Sequence, residues 1–296
     1  MPRQKWPRMK TYAILCIALC IAAVACGRSL SPPTLAPLPF PTDTLRVERV
    51  AEGVWHRYLY APAGPWAIHV LDVDLTRCNE IVAVKGADSA AGRTKTTELL
   101  EWLARRRTDA RVVGGANAGF FSLANGTPTA MLVVDGRMLT PLRPDPSLGV
   151  DSDGRPRIDR FALIGGSLAP FYPQQAVSGH PLLLRDSVVV GDVDTTGNAG
   201  FIGRNPRTAV GIGRDGKRLL LAVIDGRQKG YSDGMSLRET ANLMLALGAR
   251  DALNLDGGGS STLVVAQHIA NKPSDAQGER AVGDAVAIVN HCPSSS

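Results

Sequence analysis

Residues 251–263 read Asp-Ala-Leu-Asn-Leu-Asp-Gly-Gly-Gly-Ser-Ser-Thr-Leu, and the rest of the chain is best read outward from them. Leu253 to Leu255 has the pattern of a short strand, which delivers the carboxylate of Asp256 to its end. Gly257, Gly258 and Gly259 then remove every side chain beside that carboxylate. Successive glycines are entropically unfavourable, because each loses more backbone freedom on folding than any other residue. Such a run makes sense where a ligand comes close to the main chain and its N–H groups. A plain tight turn, the alternative, usually needs one glycine. Two familiar loop chemistries do not fit. A phosphate-binding P-loop needs Gly-Lys-Ser/Thr after a longer spacer, and no lysine follows here. A serine-hydrolase elbow needs Gly-x-Ser-x-Gly, and Ser260 lacks the second glycine.

Upstream, Ser236-Leu-Arg-Glu239 is a capping box. Leu237, Ala241, Met244 and Leu245 share one helical face, and Gly248 takes the place of a terminating glycine. A second helix is predicted over 96–107, where Leu99, Trp102, Leu103 and Arg106 fall at helical spacing. Elsewhere short β-rich runs dominate. Asp-Gly pairs between apolar runs predict hairpins at Asp135-Gly136, Asp153-Gly154 and Asp215-Gly216. Asp72 and Asp74 share a strand face and read as solvent-facing. Residues 165–204 read as long loops with one strand near Val188–Val190. The expected fold is α+β: a single domain with a mixed, mostly antiparallel sheet and at least two packed helices.

The N-terminus predicts export. Arg3, Lys5, Arg8 and Lys10 precede the fourteen uncharged residues Tyr12 to Ala25, a run short of the roughly 20 needed to span a membrane. Residues 1–25 read as the export signal. Ala23-Val24-Ala25-Cys26-Gly27 resembles a bacterial lipobox, so Cys26 is the expected lipidation site, with ordinary cleavage after Ala25 as the alternative. Without those four basic residues the chain carries 29 basic against 27 acidic side chains, or +2, and nothing suggests a nucleic-acid partner. Residues 26–44 are proline-rich and read as a tether to the bilayer. The folded domain spans 45–292. Only Cys78 and Cys292 fall inside it, and they either form a disulfide or remain two buried thiols.

Four separated segments resemble the phosphodiester glycosidase family: Asn117-Ala-Gly-Phe-Phe121, Asn205-Pro-Arg-Thr-Ala-Val-Gly211, Ile224-Asp-Gly-Arg227 and Leu253 to Thr262. Ser178-Gly-His-Pro-Leu-Leu183 is a looser fifth, and together they cover about residues 80–290. The resemblance implies a hydrolase that cleaves a glycosyl-phosphate phosphodiester at the anomeric carbon of an extracytoplasmic glycan. Glycoside cleavage ordinarily uses two carboxyl groups. A phosphate leaving group shifts part of the acid's task to an arginine. On this basis Asp256 is the principal catalytic carboxylate, Asp225 its partner and Arg207 the phosphate ligand. Asn117, Thr262, Ser260 and the N–H groups of Gly257, Gly258 and Gly259 are expected to orient substrate, with Glu239 and His180 as further candidates.

Each assignment has a plainer rival. Arg207 could pair with a core carboxylate, Asp225 could serve a turn, Glu239 is explained by its capping box, and His180 could be a solvated loop residue. No cofactor is required, no His/Cys cluster suggests zinc, and a carboxylate-bound divalent cation such as calcium is left open. The competing function is a non-catalytic carbohydrate-binding or polysaccharide-assembly lipoprotein. An aromatic content of 5% weighs against it, since sugar-binding sites usually stack their ligand on aromatic faces. Changing Cys26 to Ala should convert an acylated, membrane-associated protein into one without N-terminal lipid; mass spectrometry finding unmodified wild-type protein starting at Cys26 would refute the anchor.

Overall fold

A computed structural model describes residues 31–35, 37–86, 90–191 and 193–293. The export signal expected over 1–25 and the lipidation site Cys26 lie outside the described residues. Strands account for 43% of the structure and helices for 11%, so the α+β description fits loosely. Every described strand pair is antiparallel, and the mixed sheet expected from sequence is not found among them.

The Arg218–Ile224 strand shows how the layers arise. Its residues alternate between faces: Leu219, Leu221 and Val223 enter one apolar core, and Leu220, Ala222 and Ile224 enter another. A strand apolar on both faces needs a cover on each. It lies near the middle of an eight-stranded sheet, between Trp66–Asp74 and Arg207–Gly213, with Ala249–Asn254 next beyond. One face is covered by a helix over Leu237–Ala246 through Leu237, Ala241, Leu243 and Met244. The other meets a five-stranded sheet that contains Asn79–Val84, Arg111–Asn117 and Ala285–Asn290, and also residues of a second five-stranded sheet. In Ala285–Asn290 the same alternation sends Val286 and Ile288 to that shared core. Ala285, Ala287 and Val289 face outward against Leu99, Leu100 and Leu103 of the Thr96–Arg106 helix.

The local signals agree with this architecture. Ser236 Oγ accepts from Glu239 N (3.1 Å) while Glu239 Oε2 accepts from Ser236 N (2.8 Å), and Gly248 adopts φ +95°. All three Asp-Gly pairs turn hairpins. Residues 165–204 are less loop-like than expected. They hold Ser167–Ala169, Gln175–Ser178, Leu182–Arg185 and a four-residue helix at Ala199–Ile202, elements too short for periodicity to reveal.

Two further differences have physical causes. Asp72 is fully buried, not solvent-facing, because Arg57 (2.8 Å) and both Nε and Nη2 of Arg218 (2.6 and 2.7 Å) reach it across the sheet. Residues 32–35 and 37–43, expected as part of a free spacer, lie against the domain. Leu35, Leu38 and Phe40 pack on the outer core, Phe40 sits edge-on to Trp66 at 4.9 Å, and Arg57 donates to the Pro33 carbonyl. Extended proline-rich backbone leaves its apolar side chains free to dock in this way. Cys78 and Cys292 are joined, with Cα atoms 5.4 Å apart, beside the paired strand ends Asn79 and Asn290. Changing Asp72 to Ala strands the buried Arg57 charge and should lower unfolding free energy by about 3–5 kcal/mol in urea titrations; a loss under about 1 kcal/mol would show the ion cluster to be dispensable.

Candidate active site

The Arg111–Asn117 strand ends on a fully buried asparagine with partners on three segments. Asn117 Nδ2 donates to the Asp256 carbonyl (2.6 Å), and its Oδ1 accepts from the Thr262 N–H (3.1 Å) and the Thr208 hydroxyl (2.8 Å). The main chain continues the clamp. Asp256 N donates to the Ala118 carbonyl (2.8 Å), Ala118 N to the Asp284 carbonyl (3.2 Å), and Gly119 N to Asp284 Oδ1 (2.6 Å). A Cβ on Gly119 would lie 2.9 Å from Asp284 Oδ2, so glycine is what lets this carboxylate approach. Residues 117–119 thereby hold two carboxyl groups, those of Asp256 and Asp284, on a single frame.

The glycine run admits cations. Gly258, at φ +62°, lies beneath Arg227, whose guanidinium nitrogens would be 3.2 Å from an added Cβ. A Cβ on Gly259 would collide with Arg280 and Asp275, which are bound to each other. Gly257 is pressed against the Pro206 carbonyl, 2.7 Å from where its Cβ would be. Side chains at 258 and 259 would therefore displace two guanidinium groups from the neighbourhood of Asp256.

Burial shifts both carboxyl groups. It raises Asp256 to about 6, with the Ser260 hydroxyl, the Gly257 N–H and the Arg280 charge pulling it back and Asp284 pushing it further up. The Ser260 hydroxyl completes no hydrogen bond of full geometry here, so its hold on Asp256 is weak. Burial likewise raises Asp284 to about 6, against the Gly119 N–H and the Lys85 charge. Lys85 is itself buried, donating to the carbonyls of Gly92 (2.6 Å) and Gly283 (2.5 Å).

Asp284 faces a cleft of about 420 Å³ lined also by Phe120, Phe201, Ser178, His180 and Asp145. His180 shares a hydrogen bond with Thr196 Oγ1 (2.9 Å), lies 3.9 Å from Asp145 and stacks on Phe201. Of the residues singled out from sequence, His180 lines this cleft, and Asp256 is connected to it through its interaction with Asp284. Others turn elsewhere. Arg207 is buried and donates to the carbonyls of Met235 (2.9 Å), Phe201 and Gly203 (both 2.6 Å), which engages the donors a phosphate would need. Asp225 is buried away from Asp256, accepting from Tyr231 (3.0 Å), Asn271 (2.9 Å) and the Lys272 N–H (3.0 Å). Glu239 completes its capping box and pairs with Arg204. Asn117, Ser260 and Thr262 are fully buried, so their side chains support the loop and do not line the cleft.

Three neighbours of the site differ in how far the sequence marks them. Arg227 belongs to the Ile224–Arg227 segment, where the carboxylate of Asp225 is the stronger signal. Asp284 follows Gly283 and opens the last apolar strand, a strand-end acid like Asp256 and readable by the same logic. Arg280 carries no sequence signal. Among the described residues no group of three or more His, Cys, Asp or Glu side chains is gathered to hold a metal ion.

Layered antiparallel sheets carrying two carboxyl groups of raised pKa beside two guanidinium groups define a domain equipped for acid–base chemistry next to a negative charge. Residues 110–289 match the profile of the phosphodiester glycosidase family, and the chain belongs to that family. Mouse N-acetylglucosamine-1-phosphodiester alpha-N-acetylglucosaminidase is 30% identical over 173 residues, which are 54% of this chain and 33% of that protein. The human protein of the same name is 29% identical over 225 residues, 69% of this chain and 40% of its own length. The chain thus spans a third to two fifths of the curated relatives it matches. The fold is shared with the zebrafish enzyme's catalytic domain, described as auto-inhibited by pro-peptide: TM-score 0.61 and 22% identity, over 88% of this chain and 87% of that one.

The coupling of the two acids is measurable. A carboxyl whose folded pKa is raised holds its proton more tightly folded than unfolded, so stability should fall as pH rises from about 4 to about 6 and level off above. Asp284→Asn removes one negative charge and should lower the Asp256 midpoint below about 6 in a 13C NMR titration; an unmoved midpoint would separate the two groups.

Proposed function

We propose that the domain hydrolyses a glycosyl-phosphate phosphodiester at the anomeric carbon, on an extracytoplasmic glycan, with the protein exported and tethered through Cys26. The observation that carries this reading is the glycine loop itself, which sets Asp256, coupled to Asp284, beside Arg227 and Arg280. The activity for which the relatives are named supports it. Burial raises both carboxyl groups to about 6, so around that pH one can be charged while the other still holds its proton. In this reading the charged member of the pair stabilises the developing positive charge at the anomeric carbon or activates water there, and the other supplies a proton. Arg227 is exposed at the loop, where it donates to Asn205 Oδ1 (2.9 Å), and takes the phosphate role first expected of Arg207, with Arg280 adding charge. Arg207 becomes a positioning residue that fixes Phe201 of the cleft wall and the nearby Gly203.

The test is steady-state kinetics of two variants on a phosphodiester and on a neutral aryl glycoside. Asp256→Asn should lower kcat at least about a hundredfold with little change in KM. Arg227→Ala should worsen both parameters on the phosphodiester and much less on the neutral glycoside. Near wild-type turnover by folded Asp256→Asn would remove the catalytic assignment and favour the carbohydrate-binding alternative.

A further inference from the structure

A second cavity, of about 360 Å³, opens on another part of the domain between the first strands of the large sheet and residues 270–272. We propose that it binds an anionic sugar residue, a pyranose bearing a carboxylate or a phosphate. Tyr58 and Tyr231 present aromatic rings to it, and each ring carries a cation. Arg46 Cζ lies 5.7 Å from the Tyr58 centroid, and Lys272 Nζ lies 5.1 Å from that of Tyr231. Neither Arg46 nor Lys272 lies within ion-pair distance of a carboxylate among the described residues, and although the Lys272 charge acts on the buried Asp225 behind the wall, both cationic residues line the hollow. Glu48, the one acid on the rim, is exposed and acts on His56.

The floor is fixed and neutral. His69 is buried, stacked on His56 with a 3.2 Å bond between their rings, and burial drives it to about 3, so it is uncharged near neutral pH. Behind it, Asp225 anchors the Tyr231 hydroxyl, Asn271 and the Lys272 N–H, which sets the cavity wall in place before any ligand arrives. Asp225 thus gains a role here that it lacks at the glycine loop. Aromatic faces suit the C–H face of a pyranose, and neutral imidazole and phenol groups suit its hydroxyls. The unpaired Arg46 and Lys272 suit an anionic substituent. A bare anion would have no use for the rings, and a neutral sugar none for the cations. The 225–232 segment joins the two sites: Arg227 lies over Gly258, and Tyr231 lines this cavity.

The inference does not rest on the hydrolase assignment, and its test reads binding alone. Calorimetry with the whole mature chain would compare methyl α-glucuronide and glucose 6-phosphate with methyl α-glucoside and inorganic phosphate. At least one acidic sugar should bind more tightly than both controls. Lys272→Ala should weaken it roughly tenfold, on the scale of one charge-assisted contact. Tyr58→Leu should weaken the neutral and charged sugars together, and Asp256→Asn should change nothing. Lys272 is exposed and its variant is expected to melt as wild type does, so it decides the matter even if Tyr58→Leu fails to fold. The proposal is overturned if no probe binds at millimolar concentration, if inorganic phosphate or the neutral glucoside binds as well as the acidic sugars, or if Asp256→Asn abolishes binding while Lys272→Ala does not.

Discussion

The side chain of Asn117 ties together segments that are distant in sequence and would otherwise have no reason to meet. It lies at the inner end of a strand in one sheet and bonds to Asp256 and Thr262, on either side of the glycine run, and to Thr208, in the sheet opposite. An amide is suited to this because it donates and accepts at one point, and full burial means that each bond left unmade is costly. Ala118 and Gly119 extend the same bonding to Asp284. The pairing of two carboxyl groups therefore depends on three consecutive residues that themselves never carry charge.

That arrangement gives the burial around the site its consequence. The core shared by the sheets holds them together, and burial surrounds both acids. Desolvation raises both pKa values, and neither acid has an arginine in bonding contact that would cancel the effect. Arg280 is occupied by Asp275, and Arg227 by Asn205. Arg280 acts on Asp256 through its charge alone, and Arg227 is held by a neutral amide. Asp72 shows the opposite arrangement: two arginines bind it directly, which makes a strut and not a reactive group.

The cleft beside Asp284 and the second cavity differ in the same terms. The cleft beside Asp284 is apolar and aromatic with a few titratable groups, as a site of chemistry often is. The second cavity has a neutral floor, two tyrosine rings and unpaired cations at its edge, which suits recognition without reaction. Arg207 and Asp225 link these regions to the frame from beneath, Arg207 under the cleft wall and Asp225 under the cavity wall.

Much was legible along the chain because it depends on neighbours in sequence. The capping box at Ser236, the Asp-Gly hairpins, the helical spacing of Leu99 and Leu103, and the strand that presents Asp256 to the glycines are all local patterns with a period or a turn to mark them. The family motifs also marked which segments converge. They could not say which side chain in each segment faces the ligand. Ile224-Asp-Gly-Arg227 contains both a buried anchor and an exposed cation, and the choice between them turned on a hydrogen bond from Asn271, 46 residues away. Arg207 looked like a phosphate ligand until the carbonyls of Phe201, Gly203 and Met235 occupied its donors. Asp284 and Asp72 bore no mark of burial, since a lone acid beside an apolar run reads the same whether it faces water or a partner. Burial and partnership are properties of what the chain folds against, and for a charged side chain they alone separate a strut, an anchor and a reactive group.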